Sequence, residues 1–320
     1  VGLYPTDTRI TAFAGGAACA IHRGDDMAIN VDKGTVNFWG LAPGIAEGSI
    51  AQARMVSPRA MAVFKNRIFI GASDFFPTDW AACRPGVWDD WDAAQPVEDV
   101  ARAFVGNISD AGSGDRLRAM FTMGEDYMVF ACERSLWRLS GDPAVTGSRF
   151  DNINKVAGCA TAESWCYGSS GEAFLLGPMG LWELPNAATA PVNISGDRLP
   201  RDLQYIAPDA NVCMFYEPGD KGLYIFIAQP GGMASNGWFY ERRLQAFWPI
   251  QVESYAVPYS SAFDGHRNKT LIGGFDGLMR VFDSLHAFDA GKTGGELDKR
   301  TFSSFVDIGP FPAGGGYSIL

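Results

Sequence analysis

With 320 residues, 47% of them apolar, the chain can bury a substantial core and is expected to fold rather than remain disordered. Its 36 acidic against 26 basic side chains give a formal charge of −10, which repels phosphate backbones and anionic lipid and argues against wrapping of nucleic acid. No apolar run reaches the ~18 residues of a membrane span, and the opening VGLYPTDTRI has neither a basic nor an apolar leader segment, so neither a span nor a retained signal peptide is expected.

Along the chain, MAINVDKGTVNFW from Met27 and FKNRIFIGAS from Phe64 set a rhythm of short apolar strands separated by polar turns. The most unusual local composition follows in DWAACRPGVWDDWDAAQP, Asp79 to Pro96. If exposed, Trp80, Trp88, Asp89, Asp90 and Trp91 would make a recognition loop for a sugar or another protein. Turned inward, the same tryptophans would cap a sheet while the acids stay wet. Helical periodicity is scarce, with Pro96 to Phe104 and Arg198 to Tyr205 the two candidates for short helices. SDAGSGD, Ser109 to Asp115, could wrap a calcium ion through Asp110 and Asp115, but glycine and serine fill most ligand positions and a plain loop is the better reading.

The central signal is a repeat. DYMVFACERSLWRL (Asp126 to Leu139) aligns without a gap on GEAFLLGPMGLWEL (Gly171 to Leu184) at an offset of 45, placing Trp137 on Trp182. Each reads as a hairpin: an apolar strand, a four-residue polar or Gly/Pro connection, and a strand alternating leucine about a tryptophan. A hairpin cannot bury its face alone and needs neighbours. Looser copies run from Leu223, with a longer turn ahead of Trp238, and from Lys269, where Met279 takes the tryptophan place. The intervals from Trp137 are 45, 56 and 41 residues, and about 40 to 50 residues is one four-stranded propeller blade. The predicted fold is therefore all-β, a β-propeller of about six four-stranded blades, with residues 1–320 as a single domain and 309–320 as a turn-rich C-terminal extension. A pair of β-sandwiches is the rival architecture.

Catalytic constellations are not legible. His22, His266 and His286 lack metal-ligand spacing, and no carboxylate pair is singled out among the many acids. SGDPAVTGS from Ser140 lacks the glycine and tryptophan of an Asp-box and reads as the turn leaving Leu139, with Pro143 fixing φ. The pairs Gly15-Gly16, Gly231-Gly232 and Gly273-Gly274 are not followed by the lysine of a phosphate loop. Cysteines 19, 83, 132, 159, 166 and 213 form no close pair and read as buried free thiols. No catalytic residue, metal or cofactor is expected.

Three segments carry a resemblance: NRIFIGASDFFPTDW (Asn66 to Trp80), VFACERSLWRLSGDPA (Val129 to Ala144) and GCATAESWCYGSSGEAFLLGPMGLWELP (Gly158 to Pro185). Together they resemble the β-propeller virion proteins of tailed bacteriophages and prophages, including the nozzle proteins that end short tails. Trp80, Ser135 to Leu139 with Gly141, Cys159 and Ser164, and Phe174 to Leu184 fill that family's strand and turn positions, and the likeness runs from about Met55 to Asp283.

The resemblance implies a non-enzymatic structural tail protein, assembled in the host cytoplasm and carried in the virion. Such proteins are typically homohexameric rings that meet an adaptor, a fibre or an upstream tail ring and surround the channel of DNA ejection, passing DNA without sequence-specific binding. Many nozzles carry a platform domain for which 320 residues leave little room, so nozzle and hub both stay open. Acidic blade loops facing the lumen would keep phosphates from sticking. Two other readings remain: a host-receptor or glycan-binding propeller, suggested by nine tryptophans and the Trp88 to Trp91 loop, and, more weakly, a propeller glycoside hydrolase.

Overall fold

The computed structural model describes residues 58–73, 76–87, 101–108, 115–186, 189–207, 210–228, 235–250, 257–264, 269–274 and 278–283, with the strand backbones at 8–12, 19–23, 27–30, 35–38 and 304–307. The loop with Trp88, Asp89, Asp90 and Trp91 lies outside them, as do Asp110, His266, His286, the first two glycine pairs and the 309–320 extension.

Two antiparallel ribbons come first, β1 (Thr8–Ala12) with β2 (Cys19–Arg23), and β3 (Met27–Asn30) with β4 (Thr35–Phe38); β2 runs beside β3, so these make one set of four. Five four-stranded antiparallel sheets follow, each an up-and-down meander in chain order. They comprise β5 (Ala60–Phe64), β6 (Arg67–Gly71), β7 (Asp79–Ala82) and β8 (Phe104–Asn107); then β9 (Leu117–Met123), β10 (Tyr127–Cys132), β11 (Leu136–Ser140) and β12 (Arg149–Asn154). The third holds β13 (Trp165–Tyr167), β14 (Ala173–Gly177), β15 (Gly180–Leu184) and β16 (Val192–Asn193). The fourth holds β17 (Asn211–Glu217), β18 (Gly222–Ala228), β19 (Ser235–Glu241) and β20 (Ala246–Ile250); the last β21 (Pro258–Asp264), β22 (Lys269–Gly274), β23 (Met279–Asp283) and β24 (Ser304–Asp307).

The chain divides into two compact units, the first holding β1 to β12 and the second β13 to β24. Within the first, β5 runs beside β9; within the second, β13 runs beside β17 and β17 beside β21. First strands thus gather next to first strands, and fourth strands are left outermost.

Burial explains the sequence pattern. A sheet packed on both faces needs apolar residues at every position rather than at alternate ones. RIFIG of β6, AFLLG of β14 and GLYIFIA of β18, all second strands, are buried throughout. In β17 the alternation survives as a division of labour: Val212 and Met214 join a core with Phe174, Leu176 and Ile225, while Cys213 and Phe215 join another with Phe226, Ile272 and Phe282. Each fully buried phenylalanine stabilises by about 1.5–3 kcal/mol before entropy is counted. Lys65 and Asn66 join β5 to β6 with φ of 48° and 60°, the positive pair that a tight hairpin turn requires.

The aligned hairpins hold their register. Ala131 faces Leu136 as Leu176 faces Leu181, and Trp137 opposite Phe130 matches Trp182 opposite Leu175; the four-residue connection expected in both holds in the first, whereas in the second Gly177 also pairs with Gly180 and leaves two residues. The helix expected over Arg198 to Tyr205 is shorter, a 3₁₀ turn at Gly196–Arg198 and α1 at Arg201–Gln204, because Pro200 intervenes and cannot continue a helical hydrogen-bond ladder. Of the one expected over Pro96 to Phe104, residues 96–100 lie outside the described residues, 101–103 are not helical, and Phe104 opens strand β8.

Candidate functional site

Trp80 does not belong to a recognition loop. It lies in β7, 4% exposed, with ring centroids 5.1 Å from Phe130, 5.6 Å from Phe69 and Phe104, and 6.2 Å from Phe150. Burial among four aromatic rings outweighs any contact an exposed indole could make, so it is a core residue cementing two neighbouring sheets. Gly106, its partner on β8, has no side chain because a Cβ there would fall inside the indole.

Trp137 packs in that same core, from the β9–β12 side, stacked on Phe150 at 5.6 Å. Its indole N–H donates to Ser135 Oγ (2.8 Å), which donates to Asp115 Oδ2 (2.6 Å). Asp115, weighed as a calcium ligand, therefore ties β11 to the residues ahead of β9, and it also accepts from the Arg134 backbone N–H at 2.8 Å. Trp182 is 9% exposed, Trp238 half-buried against the core it shares with Tyr240, and Met279 half-buried on β23. The indole N–H groups of Trp80, Trp182 and Trp238 have no hydrogen-bond partner among the described residues.

Two arginines that sequence reasoning missed join neighbouring sheets. Arg67, at the head of β6 and 0% exposed, donates to Asp142 Oδ2 (2.9 Å), Cys83 O (2.8 Å) and Arg102 O (2.6 Å). Asp142 sits in the turn after β11, the turn anticipated at Ser140. Arg242, in the turn after β19, reaches Glu172 Oε1 (2.8 Å) and Glu183 Oε1 (2.7 Å) and lies over the Phe174 ring. Burial pulls the Arg242 guanidinium down, but Glu183 and Glu172 outweigh it and hold its pKa raised. For Arg67 the legible signal was a lone charge heading an otherwise apolar strand; Arg242 stands between Glu241 and Arg243 in a turn and offers no such signal.

A third polar group joins β17 to β22, where Thr270 Oγ1 donates to Glu217 Oε2 at 3.1 Å and Tyr224 donates to Asp220 at 2.7 Å. Burial raises the Glu217 pKa against the hydrogen bonds from Thr270 and the Gly219 backbone. Among the described residues no group of three or more His, Cys, Asp or Glu side chains could hold a metal. Cys83, Cys132, Cys159 and Cys213 are buried thiols outside any disulfide, as expected, and Cys166 is a half-buried thiol.

The exposed apolar side chains include Val63, Tyr167, Tyr259 and Phe263 on first strands, and Leu244 and Trp248, which follow one another from the β19–β20 turn into β20. Arg198 donates to the Leu244 and Gln245 carbonyls, fixing that turn against the segment ahead of α1.

Up-and-down four-stranded sheets that meet through their first strands, with cores between successive sheets, define a β-propeller protein. No family model matches the chain, and no curated protein matches it. Solved structures do share the fold. The chain is similar to hydrazine synthase of Kuenenia stuttgartiensis (TM-score 0.53, 12% identity, 87% of this chain and 77% of that one). It is also similar to the extracellular domain of a one-component system from B. thetaiotaomicron (TM-score 0.52, 11% identity, 88% of this chain and 32% of that one). The chain spans about a third of the length of the latter, and at these identities the likeness carries the fold alone.

Proposed function

We propose that this propeller is a structural, non-enzymatic component of a tailed-phage virion, a ring-forming nozzle or hub protein beside the path of genome exit. The observation that carries the reading is where the three resembling segments fall. They run from β6 into β7, from within β10 through β11 and its turn, and over β13 to β15, so each crosses a second-to-third-strand connection. What resembles the virion family is thus the part of the blade that packs.

The first strands support the same reading. β1 carries one arginine, Arg9, β5 and β13 carry no charged residue, Arg118 of β9 is ion-paired to Glu133, and β17 and β21 add Glu217 and Asp264. Strands so poor in free cations give a passing phosphate backbone little to hold. The test is mass measurement and sedimentation of native particles. Co-sedimentation with a virion at a copy number that is a multiple of six is expected; an isolated, monomeric secreted product would overturn the proposal.

Exposed Trp248 favours a second reading, a receptor- or glycan-binding propeller. Loss of host adsorption or of glycan-array signal in Trp248→Ala and Trp88→Ala variants would support it. Silence of the unaltered protein in both assays would remove it.

A further inference from the structure

The two arginine contacts occupy matching places in their blades with the charges exchanged. Arg67 and Glu172 each stand two residues ahead of a fully buried phenylalanine, Phe69 and Phe174, that faces the next blade in the chain. Phe69 meets Phe130 of the next blade, and Phe174 stacks on Tyr216 of the next blade at 5.9 Å. Their partners, Asp142 and Arg242, both lie in the turn after the third strand of that following blade. One interface therefore reads basic to acidic and the other acidic to basic. The positions are enclosed: Arg67 is 0% exposed and Glu172 6%.

We infer that these reversed ion pairs form an address code that rejects wrong blade neighbours during folding. Blades with the same strand plan and an in-register repeat invite exchange, within one chain or between copies. The buried phenylalanine alone discriminates poorly, since the β5–β8 and β13–β16 blades both offer one two residues after the charge. Charge does discriminate. The β5–β8 blade set against the β17–β20 blade would bring Arg67 to Arg242, and the β13–β16 blade set against the β9–β12 blade would bring Glu172 to Asp142. Each wrong pairing sets a like charge against an enclosed one and leaves that enclosed charge without its counter-ion, which costs more than the correct pairs gain.

The code can be made ambiguous without removing either pair. R67E/D142R makes both second-strand positions acidic, and E172R/R242E with E183Q makes both basic. All five substitutions together invert the code while keeping the two addresses different. Each protein, as the full chain, is unfolded in guanidinium, refolded over a series of concentrations, and compared by size-exclusion chromatography with light scattering against never-unfolded protein. The denaturation midpoint of the correctly folded fraction is read in parallel.

Each single-interface exchange should give a several-fold larger misassembled fraction that grows with concentration. The five-substitution protein should return close to the unaltered level. Contacts that only stabilise would make the losses add, leaving that protein the worst of the set, since the two interfaces share no partner. Additive loss, or refolding of both single-interface exchanges at the unaltered level, overturns the inference.

Discussion

The indole N–H of Trp137 donates to Ser135 Oγ at 2.8 Å, and that hydroxyl passes a hydrogen bond on to Asp115 at 2.6 Å. Gly180 stands 45 residues after Ser135, at the same hairpin register, so Trp182 has no hydroxyl to meet. The relay belongs to one blade and not to the repeat. Ser135→Ala removes an acceptor for a buried donor and a donor for a carboxylate at once. It should destabilise by about 1–3 kcal/mol, the cost of leaving such groups unpaired, read as a lower midpoint of guanidinium unfolding. A midpoint equal to the parent's would show that solvent takes over both bonds.

Gly106 faces Trp80 across β7 and β8, and the indole fills the space where any side chain would start. Gly106→Val should therefore displace Trp80 from Phe104 and Phe130 and cost about 3 kcal/mol, the upper range for overpacking. Loss of near-ultraviolet circular dichroism from the aromatic cluster should accompany it. An unchanged spectrum with an unchanged midpoint would mean that the blade accommodates the methyl groups by shifting β8.

The repeat was legible in the sequence because hairpin register is local: Trp137 and Trp182 keep the same offset from residues they face across a short connection. Trp80 was legible only as one of two alternatives. It stands in a tryptophan- and aspartate-rich stretch that allows exposure or burial, and the rings that decide between them, Phe130 and Phe150, lie 50 and 70 residues away. Arg67 and Arg242 were missed for the same reason, since their acids lie 75, 70 and 59 residues off. Composition shows that a strand head is charged, whereas only packing shows what it meets. Cys132 and Cys213 were read correctly because thiols in apolar runs need no partner to be buried; Cys83 and Cys159 are buried too, whereas Cys166 is half-buried.

Glu217 gives stability a pH dependence whose sign is fixed by its environment. Burial raises its pKa above the ordinary 4.5, and the hydrogen bonds from Thr270 and the Gly219 backbone only partly oppose this. The folded state then holds the proton more tightly than the unfolded state, so the contribution is fully present below the unfolded pKa and is lost as pH rises through the folded one. Glu217→Gln, neutral throughout, should flatten the fall of melting temperature in the window just above pH 4.5 and melt no lower than the parent at neutral pH. A steeper fall in the variant would place the titration elsewhere.

The thiols of Cys132 and Cys213 are pushed up to about 12, from an ordinary 9.0, chiefly by burial; Asp115 adds to the first, while hydrogen bonds from Ser135 and Ser261 oppose the shift. At pH 8 a thiol of that pKa is ionised only to the order of one part in ten thousand, and the thiolate is the nucleophile. Both are also 0–1% exposed, so a disulfide reagent meets neither the charge nor the atom. In a Cys19→Ser variant, which leaves the five thiols with described side chains, native protein should label negligibly at Cys132 and Cys213 over hours. All five should label within minutes in guanidinium. Rapid native labelling mapped to either residue by mass spectrometry would show that its blade opens well below the free energy of global unfolding.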